Sequence, residues 1–265
     1  MSNNEQKQAA APVPAATIMI LRDAPQGMEV FMVKRHHQID FVAGALVFPG
    51  GKVSGGDFDA ALDEYMDGNE GWSGPMCAIA AAAIREAFEE SGILYAREPG
   101  ARELVSSERI AALVPYRKAL DSHEINLLDF LREEKLHLAC DQLVHFAHWI
   151  TPDNMPKRFD THFFVAHAPS GHIGAHDGHE SVDSVWITPQ NAINDRKKWN
   201  VIFPTKLNLM KLATCKNVDE TLRVARAHTP ITVTPWVEQG EDGPILRIRD
   251  DAGYTQTSTS LKTAL

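Results

Sequence analysis

The sequence predicts an α+β domain, best described as a mixed sheet between helical layers. Runs rich in β-branched and aromatic residues occur early and late in the chain, and a long alanine-rich helix lies between them. The order of these elements lacks the regular strand–helix–strand rhythm of a doubly wound parallel sheet. Apolar residues make up 44% of the 265 residues, which is enough to bury a sizeable core.

The predicted strands begin with a hairpin. Its two runs, 17–23 and 29–36, are joined by a short turn that contains Gly27. A third strand, 45–51 ("ALVFPGG"), is interrupted by its Pro-Gly-Gly sequence. Further strands are predicted at 145–151, 161–168 and 181–188, and a closing hairpin is predicted through residues 240–243.

The clearest helix prediction covers residues 75–91. Pro75 suits the first turn of a helix, and Gly92 suits the left-handed position after the last turn. Four consecutive alanines, 80–83, have the highest helix propensity. Two helices are predicted within 106–139, with capping signals at Ser106 and Asp121, and others at 188–199, capped by Thr188, and at 204–215.

We expect a disordered lead over residues 1–14, one domain over 15–250 and a loose tail over 251–265. The net charge of −9 argues against nucleic acid or an anionic membrane as the main partner, because neither would meet a basic surface. No apolar run approaches the roughly 20 residues that span a bilayer. Three scattered cysteines indicate a reducing compartment rather than a disulfide framework. We therefore expect a cytoplasmic protein that binds a small molecule.

The segment "IREAFEESGIL" (84–94) holds three glutamates around one arginine. On a helix, Glu86, Glu89 and Glu90 share one face, and Arg85 lies four residues before Glu89. Carboxylates this close repel each other, so the face needs either open solvent or a bound cation. Hard divalent cations such as Mg²⁺ or Mn²⁺ prefer oxygen ligands of this kind. A solvated charged face remains the alternative when the segment is considered alone.

The same residues resemble the Nudix box. That pattern runs Gly, five residues, Glu, seven residues, then Arg-Glu-apolar-x-Glu-Glu-x-Gly-apolar. Residues 85–93 fit its second half at every fixed position, and Gly51 in "VFPGG" corresponds to the opening glycine. The resemblance implies a Nudix α/β/α sandwich. It also implies metal-assisted hydrolysis of a nucleoside diphosphate linked to another moiety.

The first half of the box departs from the pattern. About 20 residues are inserted after Gly51, and Cys77 occupies the position of the family's first glutamate. The sequence of the insert, 52–74, predicts a loop with about one helical turn. This loop forms either a lid or edge of the pocket, or a tolerated surface loop.

An inserted box is a feature of one branch, nucleoside diphosphate-linked moiety X motif 19, which "FVAGALVFPGGKV" and "HWITPDNMPKRFDTHFFVAHAP" also resemble. Characterised relatives in this branch are peroxisomal coenzyme A diphosphatases. This chain lacks a Ser-Lys-Leu ending.

The resemblance implies a role for each box residue. Glu86, Glu89 and Glu90 would bind the metal, with the Gly51 carbonyl as a further ligand, and Arg85 would hold the carboxylates in place. The metal would lower the pKa of a bound water and neutralise the diphosphate. The proton of that water would go to one of these carboxylates or to Glu180 in the loop before a strand.

Three residues near the strand at 161–168 are candidate substrate contacts. Arg158 either binds a phosphate with its guanidinium or pairs with Asp160 to fix the entry of the strand. Phe163 and Phe164 point to opposite faces of the strand, so at most one of them faces a site. We take Phe164 as the candidate. The chain also has twelve histidines, but the histidine-rich stretch 170–180 matches no zinc spacing.

Coenzyme A or an acyl-coenzyme A is the leading substrate implied by the resemblance. The alternatives are an ADP-ribose or dinucleotide pyrophosphatase, and a Nudix-fold module that senses a nucleotide without cleaving it. Many relatives of this fold are dimers, so a homodimer is consistent with the resemblance.

Overall fold

The computed structural model describes residues 10–35, 44–172, 174 and 181–264. Its strands are β1 (Val13–Ala24), β2 (Gly27–Arg35), β3 (Leu46–Val47), β4 (Gly50–Lys52), β5 (Met66–Asp67), β6 (Ala96–Arg97), β7 (His137–Ala139), β8 (Val144–Ile150), β9 (Phe159–His167), β10 (Ser181–Ile187), β11 (Thr232–Val233), β12 (Trp236–Gly240), β13 (Gly243–Arg247) and β14 (Ser258–Ser260). Its α-helices are α1 (Gly74–Ser91), α2 (Ser107–Asp121), α3 (Leu127–Glu134), α4 (Pro189–Asn194), α5 (Phe203–Leu212), α6 (Val218–Arg226) and α7 (Leu261–Ala264). Short 3₁₀ helices occupy Gly55–Phe58, Ala60–Tyr65, Cys140–Gln142 and Asp250–Ala252.

The largest sheet is mixed. Its strand order is β10-β2-β1-β9-β8-β11, and β3 and β4 add to β2 and β1. Strand β1 is parallel to β9 and antiparallel to β2, and β11 is parallel to β8. Two smaller three-stranded sheets, β5-β7-β6 and β12-β13-β14, lie outside it. The predicted hairpins β1–β2 and β12–β13 are both confirmed.

Each face of the large sheet is covered by its own apolar core. Alternate residues of β1 separate cleanly: Ile18 and Ile20 pack with the alanines of α1, whereas Met19 and Leu21 pack with α5 and α6. Helices therefore lie on both faces, and the predicted α/β/α sandwich is confirmed. In the described part of the chain, no helix is both long and apolar enough to cross a membrane.

Helix α1 begins and ends where the sequence predicts. The Ser73 hydroxyl accepts a hydrogen bond from the Met76 N–H, and Gly92 takes a left-handed φ of 72° while its N–H donates to the Phe88 carbonyl at 2.8 Å. From residue 77 to 91 every side chain except Glu86 is buried. A helix that is apolar on most sides lies inside a domain, and α1 therefore carries its glutamates into the interior rather than onto an open surface. The solvated face considered for the sequence alone is wrong.

Several predicted elements differ in the structure. Asp121 is the last residue of α2 rather than a cap, and Asn126 caps α3 by accepting from the Asp129 N–H. The insert 52–74 contains two 3₁₀ helices and β5, where the sequence predicts a loop with about one helical turn. Helix α6 was not predicted, although Val218, Leu222 and Ala225 have helical spacing and all three are buried.

The expected chain ends are also corrected. Most of the lead, 1–9, lies outside the described residues, but β1 already begins at Val13. The tail is not loose throughout, because Tyr254 is buried beside Trp149 and Asn208. Its hydroxyl accepts from the Trp149 Nε1–H at 2.9 Å and donates to Asn208 Oδ1 at 2.7 Å. This contact ties residues after 250 to the main sheet.

Candidate active site

The Gly50–Gly51 turn lies directly over the acidic part of α1. Strand β4 pairs with β1 so that Gly50 faces Thr17 and Gly51 faces Ala16. A Cβ on Gly50 would lie 2.3 Å from the Ala16 carbonyl oxygen, so no larger residue fits there. The Gly50 N–H donates to Glu90 Oε2 at 2.9 Å. The turn and the helix are thus joined at Glu90, the last of the three glutamates in the chain.

Gly51 leaves room for a second carboxylate. A Cβ at this position would lie 2.5 Å from both carboxylate oxygens of Glu86. The side chain of Glu86 is 14% exposed, and its Oε1 accepts from Arg85 Nη1 at 2.9 Å. The absence of a side chain on Gly51 therefore sets the position of the Glu86 carboxylate.

We expect Gly51→Ala to weaken divalent-cation binding by about 10- to 100-fold, because the added methyl group displaces Glu86. Calorimetric titration of the metal-free protein with Mn²⁺ measures this. Gly55→Ala is the matched control, since a Cβ on Gly55 meets nothing within 4 Å. Equal affinity in Gly51→Ala and wild type would show that Glu86 does not need this position.

Arg85 is the centre of the site. Its Nη1 donates to Glu86 and Glu89 at 2.9 Å each, and its Nη2 donates to the Lys52 carbonyl at 3.0 Å. Its other partner is Asp57, whose two oxygens accept from Nε at 3.0 Å and from Nη2 at 2.9 Å. One guanidinium thus contacts three carboxylates, which leaves the cluster with excess negative charge when all are ionised.

Asp57 is a site residue that the sequence did not single out. It lies in the 3₁₀ helix Gly55–Phe58 of the insert, and its side chain is fully buried. The Ser54 N–H and hydroxyl also donate to its Oδ2, at 2.7 and 2.9 Å. Cys77, where the family pattern has a glutamate, is buried near Asn69. The insert therefore supplies a buried carboxylate to Arg85.

Glu89 is the least satisfied of the three glutamates. Its Oε2 binds Arg85, but its buried Oε1 has no hydrogen-bond partner among the described residues. The pKa of Glu89 is raised to about 8, mainly by burial and in smaller part by the charge of Glu86, against the opposing charge of Arg85. A buried, unpartnered carboxylate oxygen of this kind is suited to a cation.

The raised pKa of Glu89 gives a pH prediction. In the metal-free protein, the protonated carboxyl is favoured by folding, so its contribution to stability is present below about pH 4.5 and is lost as the pH rises to about 8. A bound cation replaces that proton. We therefore expect Mg²⁺ or Mn²⁺ to raise the melting temperature more above pH 8 than below it. Thermal melts with and without the metal across this pH range test the prediction. In Glu89→Gln, the metal-induced rise in melting temperature should no longer depend on pH. A rise in wild type that is the same at every pH would contradict the assignment.

Glu86 and Glu89 line a cleft of about 590 Å³, a size suited to a small-molecule ligand. Its floor is formed by the glycine turn and α1, and one wall by Phe159, Thr161 and Phe163 of β9. Residues Ile202 and Thr205, at the start of α5, form another part of the wall. The cleft thus combines an acidic floor with apolar and aromatic sides.

Cationic side chains also line this cleft, and the sequence did not single them out. They are Arg35 at the end of β2 and Lys52 at the end of β4; a histidine, His123, which follows α2 with a left-handed φ of 57°, lies beside them. The buried Nε of Arg35 has no hydrogen-bond partner among the described residues. Cationic groups beside an acidic floor allow a metal-bound, negatively charged ligand to be held from both sides.

The donor set fits a hard divalent cation. All its members are oxygens, Glu89 offers an unpartnered one, and Gly51 leaves open space beside Glu86. The carboxylate oxygens of Glu86, Glu89 and Glu90 are not, however, gathered within 4.8 Å of one another. Among the described residues, only the ligand atoms of His148, Asp160 and His162, away from the cleft, meet that distance. Arg85 Nη1 lies between Glu86 and Glu89 instead.

The structure places the other predicted residues differently. Phe164 is fully buried in the α1-side core, and Phe163 lines the cleft, so the choice of Phe164 is corrected by one residue. Arg158 pairs with Asp153 rather than Asp160, and it donates to the carbonyls of Thr151 and Ala10. It therefore fixes the entry to β9 and is not part of the cleft wall.

Two predicted residues remain. Asp160 binds His148 on the face of β9 opposite Thr161, and it is not part of the cleft wall either. Glu180 lies outside the described residues, and its role as a base stays a prediction.

The sandwich and the acidic helix beneath a glycine turn are those of a Nudix protein. A family model described as the NUDT19 Nudix domain matches residues 74–208, just over half of the chain, and the chain therefore belongs to that family.

Known proteins agree with this membership. The chain is 26% identical over 216 residues to putative nudix hydrolase 7 of Caenorhabditis elegans, a match that covers 80% of the chain. It is 24% identical over 219 residues to acyl-coenzyme A diphosphatase NUDT19 of Xenopus laevis, which covers 66% of the chain. The matches span 65% and 57% of the lengths of these relatives.

A crystal structure of a NUDIX hydrolase from Alicyclobacillus acidocaldarius has the same fold, with a TM-score of 0.63 and 24% identity. The superposition covers 83% of this chain and 97% of that one.

Proposed function

We propose that this chain hydrolyses a diphosphate linkage in a nucleoside diphosphate linked to another moiety, with Mg²⁺ or Mn²⁺ as the cofactor. The observation that carries the proposal is the gathering of three glutamates under the Gly50–Gly51 turn, with Glu86 and Glu89 lining the cleft and Glu90 bound to the Gly50 N–H beside them. A binding module that never cleaves its ligand has no need to hold three mutually repelling carboxylates together beside one arginine.

In the proposed mechanism, Glu86, Glu89 and Glu90 hold the cation, with the Gly51 carbonyl as a further ligand. When bound, the metal supplies Lewis acidity for the diphosphate and lowers the pKa of a water. Arg85 fixes the directions of Glu86 and Glu89 through its Nη1, and Asp57 fixes Arg85 in turn.

The proton of the attacking water goes to one of the helix carboxylates or to Glu180. Arg35, Lys52 and His123 face the cleft and can bind the oxygens of the two phosphate groups. Phe159 and Phe163 offer surfaces on which a base or an apolar group can pack.

Coenzyme A or an acyl-coenzyme A is the leading substrate in this proposal. The support is the family membership and the similarity to a protein named as an acyl-coenzyme A diphosphatase. The cleft wall also has the chemistry for this substrate. Its aromatic residues can pack on an adenine ring, and its cationic residues can bind the phosphates of the chain. ADP-ribose and dinucleotides share the diphosphate and the adenosine, and they remain the competing substrates.

The test is product analysis with a panel of substrates. Purified protein is incubated with Mg²⁺ or Mn²⁺ and coenzyme A, acyl-coenzyme A, ADP-ribose, NADH or diadenosine polyphosphates. Release of 4′-phosphopantetheine and the adenosine bisphosphate from coenzyme A supports the full proposal. Cleavage of another compound retains the reaction and replaces the substrate. Tight binding of one compound without cleavage of any would overturn the proposal in favour of a sensing module.

A further inference from the structure

Three histidines and one aspartate form a second polar cluster on the sheet. His145 and His148 lie on β8, and Asp160 and His162 lie on the neighbouring strand β9; these four residues are called the histidine cluster below. His148 is paired directly with His162 in the register of the two strands. The irregular register between residues 145 and 147 brings His145 to the same face as His148.

The ligand atoms of this cluster converge. One atom from each of His148, Asp160 and His162 lies within 4.8 Å of the other two. Asp160 Oδ1 bonds to His148 Nε2, and it lies 3.9 Å from His162 Nε2. The other ring nitrogen of His162, Nδ1, lies 3.1 Å from His145 Nε2. The rings of His148 and His162 stack with their centroids 3.9 Å apart.

A neighbouring hydroxyl orients the histidine that touches Asp160. The Oγ1 atom of Thr232 on β11 lies 2.8 Å from His148 Nδ1. The two residues are neighbours because β11 runs parallel to β8 and pairs Thr232 with His148. If Nδ1–H donates to Thr232, the lone pair of Nε2 faces the carboxylate of Asp160, and a cation between them removes the repulsion. Metal-binding histidines are commonly fixed by such an outer hydrogen bond on the second ring nitrogen.

The buried rings of His145 and His162 favour the neutral, metal-binding form. Burial, with a smaller contribution from the neighbouring His148, lowers the pKa of both to about 4. The side chains are partly exposed nonetheless, at 16% for His148, 11% for His162 and 33% for Asp160. An ion in solvent can therefore reach them.

We propose that the histidine cluster binds a late first-row divalent metal ion, with Zn²⁺ as the reference ion, through His148, Asp160 and His162. Ligands at about 2.0–2.1 Å from zinc and at the tetrahedral angle lie about 3.3–3.4 Å apart. The 3.9 Å between His162 and Asp160 needs only a small adjustment of side chains to reach this value. Imidazole nitrogen with one carboxylate favours zinc, nickel or copper over Mg²⁺.

The proposed ion has a structural position. Asp160 and His162 alternate along β9 with Thr161 and Phe163, which form the wall of the cleft on the other face of the sheet. The ion would join β8 to β9, and Thr232 would connect β11 to the same centre. It is separate from the carboxylates of α1, and it does not depend on the proposed hydrolysis.

The experiment is calorimetric titration of EDTA-treated full-length protein with Zn²⁺ in the presence of excess Mg²⁺, which prefers the oxygen ligands of the cleft. We expect the double variant His148→Ala/His162→Ala to bind zinc at least about 100-fold more weakly than wild type. His228→Ala, which removes an exposed histidine after α6, is the matched control and should bind zinc as wild type does.

A second variant and a second measurement cover the case in which the double variant does not fold. Thr232→Val keeps the shape of the side chain and removes only the hydroxyl, and it should weaken zinc binding by about 10- to 100-fold. X-ray absorption of zinc-loaded wild type should show histidine nitrogen ligands. No zinc uptake by wild type, unchanged affinity in the double variant, or a spectrum with oxygen ligands alone would each overturn the proposal.

Discussion

Glu90→Gln should hydrolyse the diphosphate substrate roughly 100-fold more slowly than wild type, or slower still. The reason is the loss of one negative charge at the metal site. Glutamine keeps an oxygen that can accept the Gly50 N–H, so the hydrogen bond between the turn and α1 is retained. The substitution therefore separates the charge of Glu90 from its contribution to the fold. Steady-state rates with saturating Mg²⁺ or Mn²⁺, together with a thermal melt of each protein, measure the effect.

Glu89→Gln should behave in the same way, because its amide can still accept from Arg85 through one oxygen. Glu103→Gln is the matched control, since Glu103 is exposed and lies in the loop before α2. Wild-type rates in both Glu89→Gln and Glu90→Gln would remove the metal-site assignment. A lower melting temperature with a proportionate loss of rate would assign these residues to the fold alone.

Asp57→Ala should lower the free energy of unfolding by about 3–5 kcal/mol, because it leaves the buried guanidinium of Arg85 without its bidentate carboxylate partner. The side chains of Asp57 and Arg85 are 0% and 7% exposed, so water cannot replace the lost carboxylate. Arg85 would then be held by Glu86, Glu89 and the Lys52 carbonyl alone. We also expect weaker Mn²⁺ binding, since Arg85 positions two of the proposed ligands.

Urea unfolding in metal-free buffer measures the stability change. Asp63→Ala provides the control, because Asp63 belongs to the same insert but is exposed, and such substitutions usually change stability by less than about 0.5 kcal/mol. If Asp57→Ala is no less stable than Asp63→Ala, the insert is a tolerated surface loop. The predicted loss would instead make it a structural part of the site.

Much of the fold was predictable because its signals are local. The bounds of α1 follow from Pro75 and Gly92 together with the alanine run, all within a few turns of one helix. The hairpins follow from short turns between β-rich runs. Helix α6 was missed even though Asn217 caps it, because its apolar stripe is short and lies among charged residues. Asp121 was misassigned because acidic residues near a helix end can be the last residue or a cap.

The choice between Phe163 and Phe164 shows a limit of periodicity. Alternation along β9 established that the two rings face opposite sides, but not which side holds the cleft. That depends on where β4 and α1 lie relative to the sheet. The same limit applies to Arg158. Asp160 is the nearer carboxylate in sequence, but Arg158 pairs with Asp153 in the turn before β9.

By itself the sequence determined the mixed α and β class and the acidic helix, because these depend on spacings of three, four or two residues along one element. The family and its sandwich followed from the resemblance of residues 85–93 and Gly51 to the Nudix box. Only the tertiary structure decided which groups meet across elements. Arg85 and Asp57 are 28 residues apart, His148 and Asp160 are 12 apart, and no local pattern marks either pair. Such contacts depend on the path of the chain between them, and the free energy that selects that path comes from burying the two cores as a whole.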